Sequence, residues 1–201
     1  MTPADLLNHA REAPEHSPER ALWLVAAIEQ IIGKPLVLVG GAAANTYTGE
    51  YIPTDIDLIG SSIDSADRAK LVQYGFTDPG VGHRHVHITL RPGEVPVYVE
   101  FPTPPLDAEE VTDVALADGV VASIISLPDL VVDRLKQATD GTGVTRDAAI
   151  ALIAATYEEL DWEAIDRRIA SQDDDLLKLA EWAKTIRQAV IRALRQQPLK
   201  D

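Results

Sequence analysis

The sequence contains no cysteine. Disulfide bonds, thiolate zinc sites and cysteine nucleophiles are therefore excluded. It also lacks any apolar run approaching the ~18 residues that a membrane-spanning helix requires. Residues 1–18 are polar and do not contain the apolar centre of a signal peptide. We therefore expect a cytoplasmic protein with no membrane segment.

Positive charge is scarce. Lysine and arginine total 18, aspartate and glutamate total 32, and the formal net charge is −14. Such a chain repels phosphate at long range, which excludes extended DNA binding and general binding to anionic membranes. Hydrophobic residues make up 46% and charged residues 25% of the 201 residues, as in globular proteins. At ~100–200 residues per domain, this length predicts one domain or two small ones.

The composition changes near residue 125. Before it, short apolar runs alternate with Gly, Pro, Val and Thr, whereas the remainder is rich in Ala, Leu, Ile, Asp and Arg and has few helix breakers. This contrast predicts an α/β domain over residues 1–125 and a helical region over residues 126–201.

Apolar runs and turn residues predict the elements of both parts. Ser17 is the predicted N-cap of a helix, with Pro18 at its first position and Gly33 at its end. In residues 1–125 we predict helix 19–32, strand 36–39, helix 42–46, strand 56–59, helix 64–74, hairpin strands 83–90 and 95–101, and strand 120–125. In residues 126–201 we predict helices near 127–137, 146–158, 162–171 and 175–195.

The predicted hairpin has one apolar and one polar face. The side chains expected in the core are Val86, Ile88, Leu90, Val95, Val97, Val99 and Phe101. The opposite face carries His83, His85, His87, Tyr98 and Glu100. Because directly paired residues share a face, a turn at 92–93 leaves two registers, which pair Glu100 with either His85 or His87.

Two aspartates and two glycines form the densest chemical signal. Asp55 and Asp57 lie at i and i+2 of a predicted central strand, so their carboxylates project from one face. Mg²⁺ relieves the repulsion between such carboxylates, because it prefers hard oxygen ligands and is held by carboxylates plus substrate phosphates. Gly40 and Gly41 allow backbone N–H groups to approach a phosphate, with positive φ expected at Gly41. With Glu100 as a third carboxylate, the pattern predicts a nucleotide and metal site.

These residues resemble the minimal nucleotidyltransferase family of the polymerase-β-like superfamily. Its members have a strand ending in Gly-Gly or Gly-Ser, then a Thr-x-Asp-x-Asp or Asp-x-Asp strand, then a later single Asp or Glu. The chain is most similar to the group related to abortive-infection toxins, in the Pro-Thr-Asp-Ile-Asp-Leu of residues 53–58 and, more loosely, in residues 127–135 and the Arg-Asp at 146–147. Arg134 lies where a nucleotide-contacting lysine often falls in that group, and Lys136 follows two residues later.

The resemblance implies an α/β (α+β) fold, with a mixed sheet flanked by helices and followed by a C-terminal helical bundle. It implies an Mg²⁺-dependent enzyme that moves a nucleoside monophosphate from an NTP to a hydroxyl acceptor. Asp55, Asp57 and Glu100 are then the catalytic and metal-binding residues, and Glu100 helps to deprotonate the acceptor. The nucleotide contacts implied are Gly40, Gly41, Thr54, Arg134 and Lys136. The acceptor stays open between a protein, an RNA end and a small molecule, and a toxin–antitoxin role would add a cognate protein partner.

Two other classes of function stay open. One is a catalytically degenerate relative that binds a nucleotide or a protein partner. Ala42 in place of the family's serine after Gly-Gly, and Arg134 in place of lysine, slightly favour this alternative.

The other class is a zinc protein built on His83, His85 and His87. Residues at i, i+2 and i+4 of a strand span ~13 Å, so at most two of them bind one ion. With Arg84 and Arg91, the same histidines form a cationic stretch that is expected to receive acceptor or nucleotide phosphates.

Overall fold

A computed structural model describes residues 1–49, 52–60, 62–80, 82–102, 106, 108, 110–140, 143–171 and 176–196. The chain divides into two compact units, Met1–Ile125 and Ser126–Asp201. No helix in the described part of the chain is long and apolar enough to cross a membrane.

The first unit combines helices with strands. Its elements are α1 Pro3–Glu12, α2 Pro18–Ile32, β1 Leu36–Val39, α3 Gly40–Thr48, β2 Asp55–Gly60, α4 Ser65–Gln73, β3 His85–Ile88, β4 Val97–Glu100, β5 Val111–Ala115 and β6 Val121–Ile125. The second unit contains α5 Leu127–Asp140, α6 Gly143–Ala155, α7 Trp162–Ala170 and α8 Leu176–Gln196. The predicted fold class, a mixed sheet flanked by helices and followed by helices, is confirmed.

The strands form one mixed sheet in the order β3-β4-β2-β1-β6-β5. β2 lies antiparallel to β1 and parallel to β4. β6 lies parallel to β1, and the outer strands β3 and β5 are antiparallel to their neighbours. The strand that carries Asp55 and Asp57 is therefore central, as its apolar residues predict.

One face of this sheet is the core. Leu38, Leu58, Val86, Val99 and Ile124, one from each of five strands, are at most 1% exposed. α2 contacts β1 and β6, and its sequence explains its position. Ser17 Oγ accepts a hydrogen bond from the Arg20 N–H at 3.1 Å, and Gly33 ends the helix with a φ of 75°. Because successive side chains of a strand point to opposite faces, the residues between these apolar ones point away from this core.

The sequence did not predict α1, β5 or the exposure of Val95. α1 has a capping box between Thr2 and Asp5 and buries Leu6 and Leu7 against α2. Most of its other residues are polar, so its apolar face is narrow. β5 is an edge strand whose side chains are mostly exposed, so it lacks the apolar alternation of a half-buried strand. Val95, expected in the core, precedes β4 and is 70% exposed.

A buried carboxylate connects α4 to the end of α2. The Asp67 side chain is hydrogen bonded by Lys34 and by Lys70, the latter at 3.2 Å, and Lys70 also donates to the Ile32 carbonyl at 3.0 Å. Burial alone raises the pKa of Asp67, but these hydrogen bonds outweigh it and lower the pKa below its ordinary value. The Asp67 hydrogen bond in turn raises the pKa of Lys34.

The second unit has its own core and its own buried ion pair. Leu130, Leu135 and Ile165 are fully buried between its helices. Ser126 and Asp129 cap α5, and Arg168 of α7 donates to Asp129 at 2.9 Å. Asp129 belongs to the segment that resembles the family's helical motif, and here it connects α5 to α7.

Candidate metal and nucleotide site

Three carboxylates meet on the face of the sheet opposite the core. Asp57 of β2 pairs directly with Glu100 of β4, and Asp55 lies on the same face two residues earlier. Each of the three half-buried side chains offers an oxygen, and these oxygens all lie within 4.8 Å of one another. We call Asp55, Asp57 and Glu100 the acidic triad. Like charges at this spacing repel one another, and a divalent cation relieves that repulsion.

Gly40 is required at its position for two reasons. Its φ is +69°, a left-handed conformation that side chains disfavour. A Cβ at Gly40 would also lie 2.1 Å from Asp57 Oδ2. Val39, the last residue of β1, pairs with Asp57, so the turn from β1 into α3 passes directly over this carboxylate. The glycine thus allows the chain to enter α3 beside the acidic triad.

The expectation that Gly41 has a positive φ is wrong. Gly41 lies inside α3 and is not among the residues with positive φ. The left-handed residue is Gly40, because the direction of the chain changes at the first residue after β1. Val39 provides no side-chain hydrogen bond to the start of α3. Backbone N–H groups at a helix N-terminus can therefore bind an anion there.

His85 and His87 adopt one of the two predicted registers. His85 pairs with Glu100, and His87 pairs with Tyr98, on the face of the acidic triad. The His85 and His87 rings lie 5.5 and 5.4 Å from the Tyr98 ring, centroid to centroid. Among the described residues, the acidic triad is the one group of three or more His, Asp or Glu side chains close enough to share an ion. The three histidines do not form such a group.

Other predicted nucleotide contacts have local partners. Thr54 Oγ1 donates to Asp55 Oδ1 at 3.3 Å, beside the triad. Arg134 and Lys136 lie on α5 of the second unit, where Arg134 donates to Gln137 Oε1 at 3.0 Å. Their contact with a nucleotide stays a prediction.

The Arg91 guanidinium has several partners within the protein. It donates to the main-chain carbonyls of Arg11 and Ala13, the latter at 2.8 Å, and forms an ion pair with Glu94 at 3.2 Å. These bonds attach the C-terminal end of α1 to the turn before β4. The expectation that Arg91 receives phosphates is therefore not supported by its contacts.

A cavity that the sequence does not predict adjoins the triad. It has a volume of about 340 Å³ and is lined by Asp55 together with residues from the loop before α2 and from the segments that lead into β2 and β4. These three segments are far apart in the chain, so no local pattern could indicate the cavity. The sequence contains only a weak indication of the cavity: Pro53 and Pro96, which lie shortly before β2 and β4.

The fold is that of a nucleotidyltransferase-like protein. The chain is similar to the crystal structure of an antigenic nucleotidyltransferase-like protein from Paracoccidioides brasiliensis, with a TM-score of 0.57, 15% sequence identity and coverage of 94% of each chain. No protein-family model matches the sequence, and no curated protein matches it either.

Proposed function

We propose that this protein is an Mg²⁺-dependent nucleotidyltransferase that moves a nucleoside monophosphate from an NTP to a hydroxyl group. The observation that carries the proposal is the acidic triad, whose oxygens lie within 4.8 Å of one another. Gly40 lies beside it, at a position where the Asp57 carboxylate leaves no room for a side chain. The nucleotidyltransferase-like fold supports it.

The donor set fits Mg²⁺. Asp55, Asp57 and Glu100 offer hard oxygen ligands on two adjacent strands of a central sheet, and they are half-buried. The ion, when bound, supplies positive charge that stabilises the phosphates during an in-line displacement.

The residues of the chain then have distinct roles. The start of α3, made accessible by Gly40 and Gly41, binds the phosphates of the NTP through backbone N–H groups. Thr54 holds the Asp55 carboxylate. The acceptor oxygen forms a bond to the α-phosphorus, the bond from that phosphorus to the β-bridging oxygen breaks, and pyrophosphate leaves. The acceptor proton moves to a carboxylate oxygen of Glu100.

The similarity of residues 53–58 to the abortive-infection toxin group supports a further part of the proposal, a role in a toxin–antitoxin pair. We expect expression of the chain in a bacterial host to slow growth, and the Asp55→Asn/Asp57→Asn variant to be harmless. Equal growth with both chains would remove the toxin role and leave the enzymatic proposal intact.

One observation favours a second candidate, a nucleotide-binding module without transferase activity. α3 starts without a side-chain cap, and Ala42 follows Gly41 where the family has a serine that contacts phosphate. Such a module would bind an NTP and transfer nothing.

A transfer assay decides between the two candidates. The protein is incubated with each α-³²P-labelled NTP, Mg²⁺ and a cell lysate, and labelled products are separated by size. We expect label on an acceptor with the parent chain and none with Asp55→Asn/Asp57→Asn. Asp113→Asn, the same exchange on the exposed edge strand β5, is the matched control and should keep the activity. Bound NTP without any labelled acceptor would favour the binding module, and equal labelling by the double variant would refute the proposed role of the triad.

A further inference from the structure

The cavity beside the acidic triad lies where β2 and β4 begin. Asp55 of the triad is part of its wall, and so are Ile56 and Ala21, which lie toward the core. Its volume of about 340 Å³ is at the lower end of the range of small-molecule sites, roughly 300–1,000 Å³. A ligand in this cavity would therefore be small and would lie against Asp55 of the proposed active site.

The wall of the cavity is apolar at its surface. Ile52 and Val95 are each 70% exposed and Tyr98 is 40% exposed, and all three line this one cavity. Pro53 and Pro96 complete the same wall. Large apolar side chains that converge on one cleft are characteristic of a binding site rather than of an ordinary surface. The wall is therefore suited to a flat, apolar group.

The charges of the wall disfavour an anionic ligand. Arg20 is buried, and its guanidinium donates to the Ala13 carbonyl at 2.7 Å and to both Glu94 oxygens at 3.1 and 3.2 Å. Its charge is thus neutralised inside the protein. Asp55 and Glu15 add negative charge to the wall. His16 Nε2 lies 3.7 Å from Glu15 Oε1. A triphosphate or a nucleic-acid backbone would meet net negative charge there.

A nucleobase also fits this wall poorly. The Ser17 hydroxyl accepts the Arg20 N–H, and the Thr54 hydroxyl donates to Asp55. Each of these hydroxyls already has one partner in the protein, and the other residues of the wall are mostly apolar. Most of the donors and acceptors at the edges of a base would therefore lose hydrogen bonds to water on entering.

The loop that forms one side of the cavity is held in a defined conformation. His16 has a φ of +58°, which is uncommon for a residue with a side chain. Its carbonyl accepts a hydrogen bond at 2.9 Å from the side-chain amide of Asn45, a buried residue of α3. The helix that starts at the Gly40 turn therefore also holds the wall of the cavity, which makes this wall a built feature of the fold.

We propose that this cavity binds the acceptor substrate, and that the acceptor is a small, uncharged alcohol or phenol. Its apolar body lies against Ile52, Val95 and Tyr98, and its hydroxyl points to Asp55. The catalytic role of the cavity rests on the proposed function, since this hydroxyl oxygen would form the new bond to the α-phosphorus as pyrophosphate leaves and its proton moves to Glu100. Binding of the ligand does not depend on that reaction.

The test measures binding of a probe, 4-propylphenol, by ligand-detected NMR without nucleotide or metal. Val95→Asp places a carboxylate on the exposed wall of the cavity and leaves the core unchanged. We expect it to weaken binding of the probe about tenfold or more, because an apolar ring would bury an unpaired charge. Val72→Asp, on the exposed face of α4, is the matched control and should bind the probe like the parent chain. MgATP should not displace the probe.

Three results would overturn the proposal: no binding of 4-propylphenol by the folded parent chain, equal binding by Val95→Asp, or displacement of the probe by adenosine or MgATP. The last result would identify the cavity as the nucleobase site. None of these results depends on the transfer assay, so failure of this proposal is distinguishable from failure of the proposed function.

Discussion

The carboxylate of Asp67 and the acidic triad, both in the first unit, differ in how their negative charge is balanced. Asp67 is buried and receives hydrogen bonds from two lysines, Lys34 and Lys70. The acidic triad instead brings three half-buried carboxylates within 4.8 Å of one another on the face of the sheet opposite the core. The first arrangement stabilises the fold. The second places like charges together, which costs free energy in the absence of a cation and favours binding of one. The same exchange of aspartate for asparagine should therefore have opposite effects at the two places.

The largest effect on stability is expected at Asp67. Asp67→Asn removes the carboxylate that two lysines share, and we expect the free energy of unfolding to fall by about 2–3 kcal/mol. This is below the cost of breaking a fully buried ion pair, because both lysines are partly exposed and water can solvate them. Chemical denaturation at neutral pH measures this difference. Asp113→Asn, on the exposed edge strand, should change the same quantity by less than about 0.5 kcal/mol.

The contribution of Asp67 should also depend on pH. Because its pKa in the folded protein is lowered, its stabilising effect is fully present above its unfolded pKa, about 4, and is lost as the pH falls through the lower, folded value. The stability difference between the parent chain and Asp67→Asn should therefore shrink below pH 4. A difference that stays constant down to pH 2 would show that the variant acts through packing alone.

The next effect is expected at Gly40. Gly40→Ala places a side chain in a left-handed conformation, which alone costs about 1–2 kcal/mol, and its Cβ would collide with Asp57 Oδ2. Gly41→Ala is the neighbouring control, because Gly41 is helical and alanine is the better helix former. Thermal unfolding of both variants tests whether Gly40 is the glycine that cannot accept a side chain. A Gly41→Ala variant less stable than Gly40→Ala would contradict this.

The smallest effect, with the opposite sign, is expected at the triad. In the absence of divalent cations, Asp55→Asn/Asp57→Asn should be as stable as the parent chain or more stable by up to about 1 kcal/mol, since like charges are removed. Denaturation in the presence of a chelator measures it. A loss of stability comparable to that of Asp67→Asn would mean that these carboxylates hold the fold together as Asp67 does.

The parts of the fold that are encoded locally could be predicted from the sequence. The turn from β1 into α3 and the central β2 with its two aspartates follow from short patterns and from the alternation of strand side chains. Alternation also limited the partner of Glu100 to His85 or His87, and the structure selects His85. β5 could not be predicted, because an exposed edge strand has no buried face to create alternation. The turn between β5 and β6 does contain a local signal, the Asp-Gly pair of Asp118 and Gly119, both with positive φ.

The site was predicted less completely than the fold. The pairing of Asp55 with Asp57 follows from residue spacing, and Glu100 was added from strand alternation and from the resemblance to the family. The choice between Gly40 and Gly41 depends on backbone torsion angles that spacing does not show. The lysines around Asp67, the carbonyls bound by Arg91 and the cavity beside Asp55 depend on contacts between distant segments. Periodicity of the sequence contains no information on such contacts.

The central claim is that the acidic triad binds a divalent cation together with a nucleotide. Electron paramagnetic resonance with Mn²⁺ in place of Mg²⁺ measures this directly, with a pool of non-hydrolysable analogues of the four NTPs. We predict that the parent chain and Asp113→Asn bind Mn²⁺ more tightly when the analogues are present, and that folded Asp55→Asn/Asp57→Asn shows no such gain. Equal Mn²⁺ binding by the double variant and the parent chain would contradict the account.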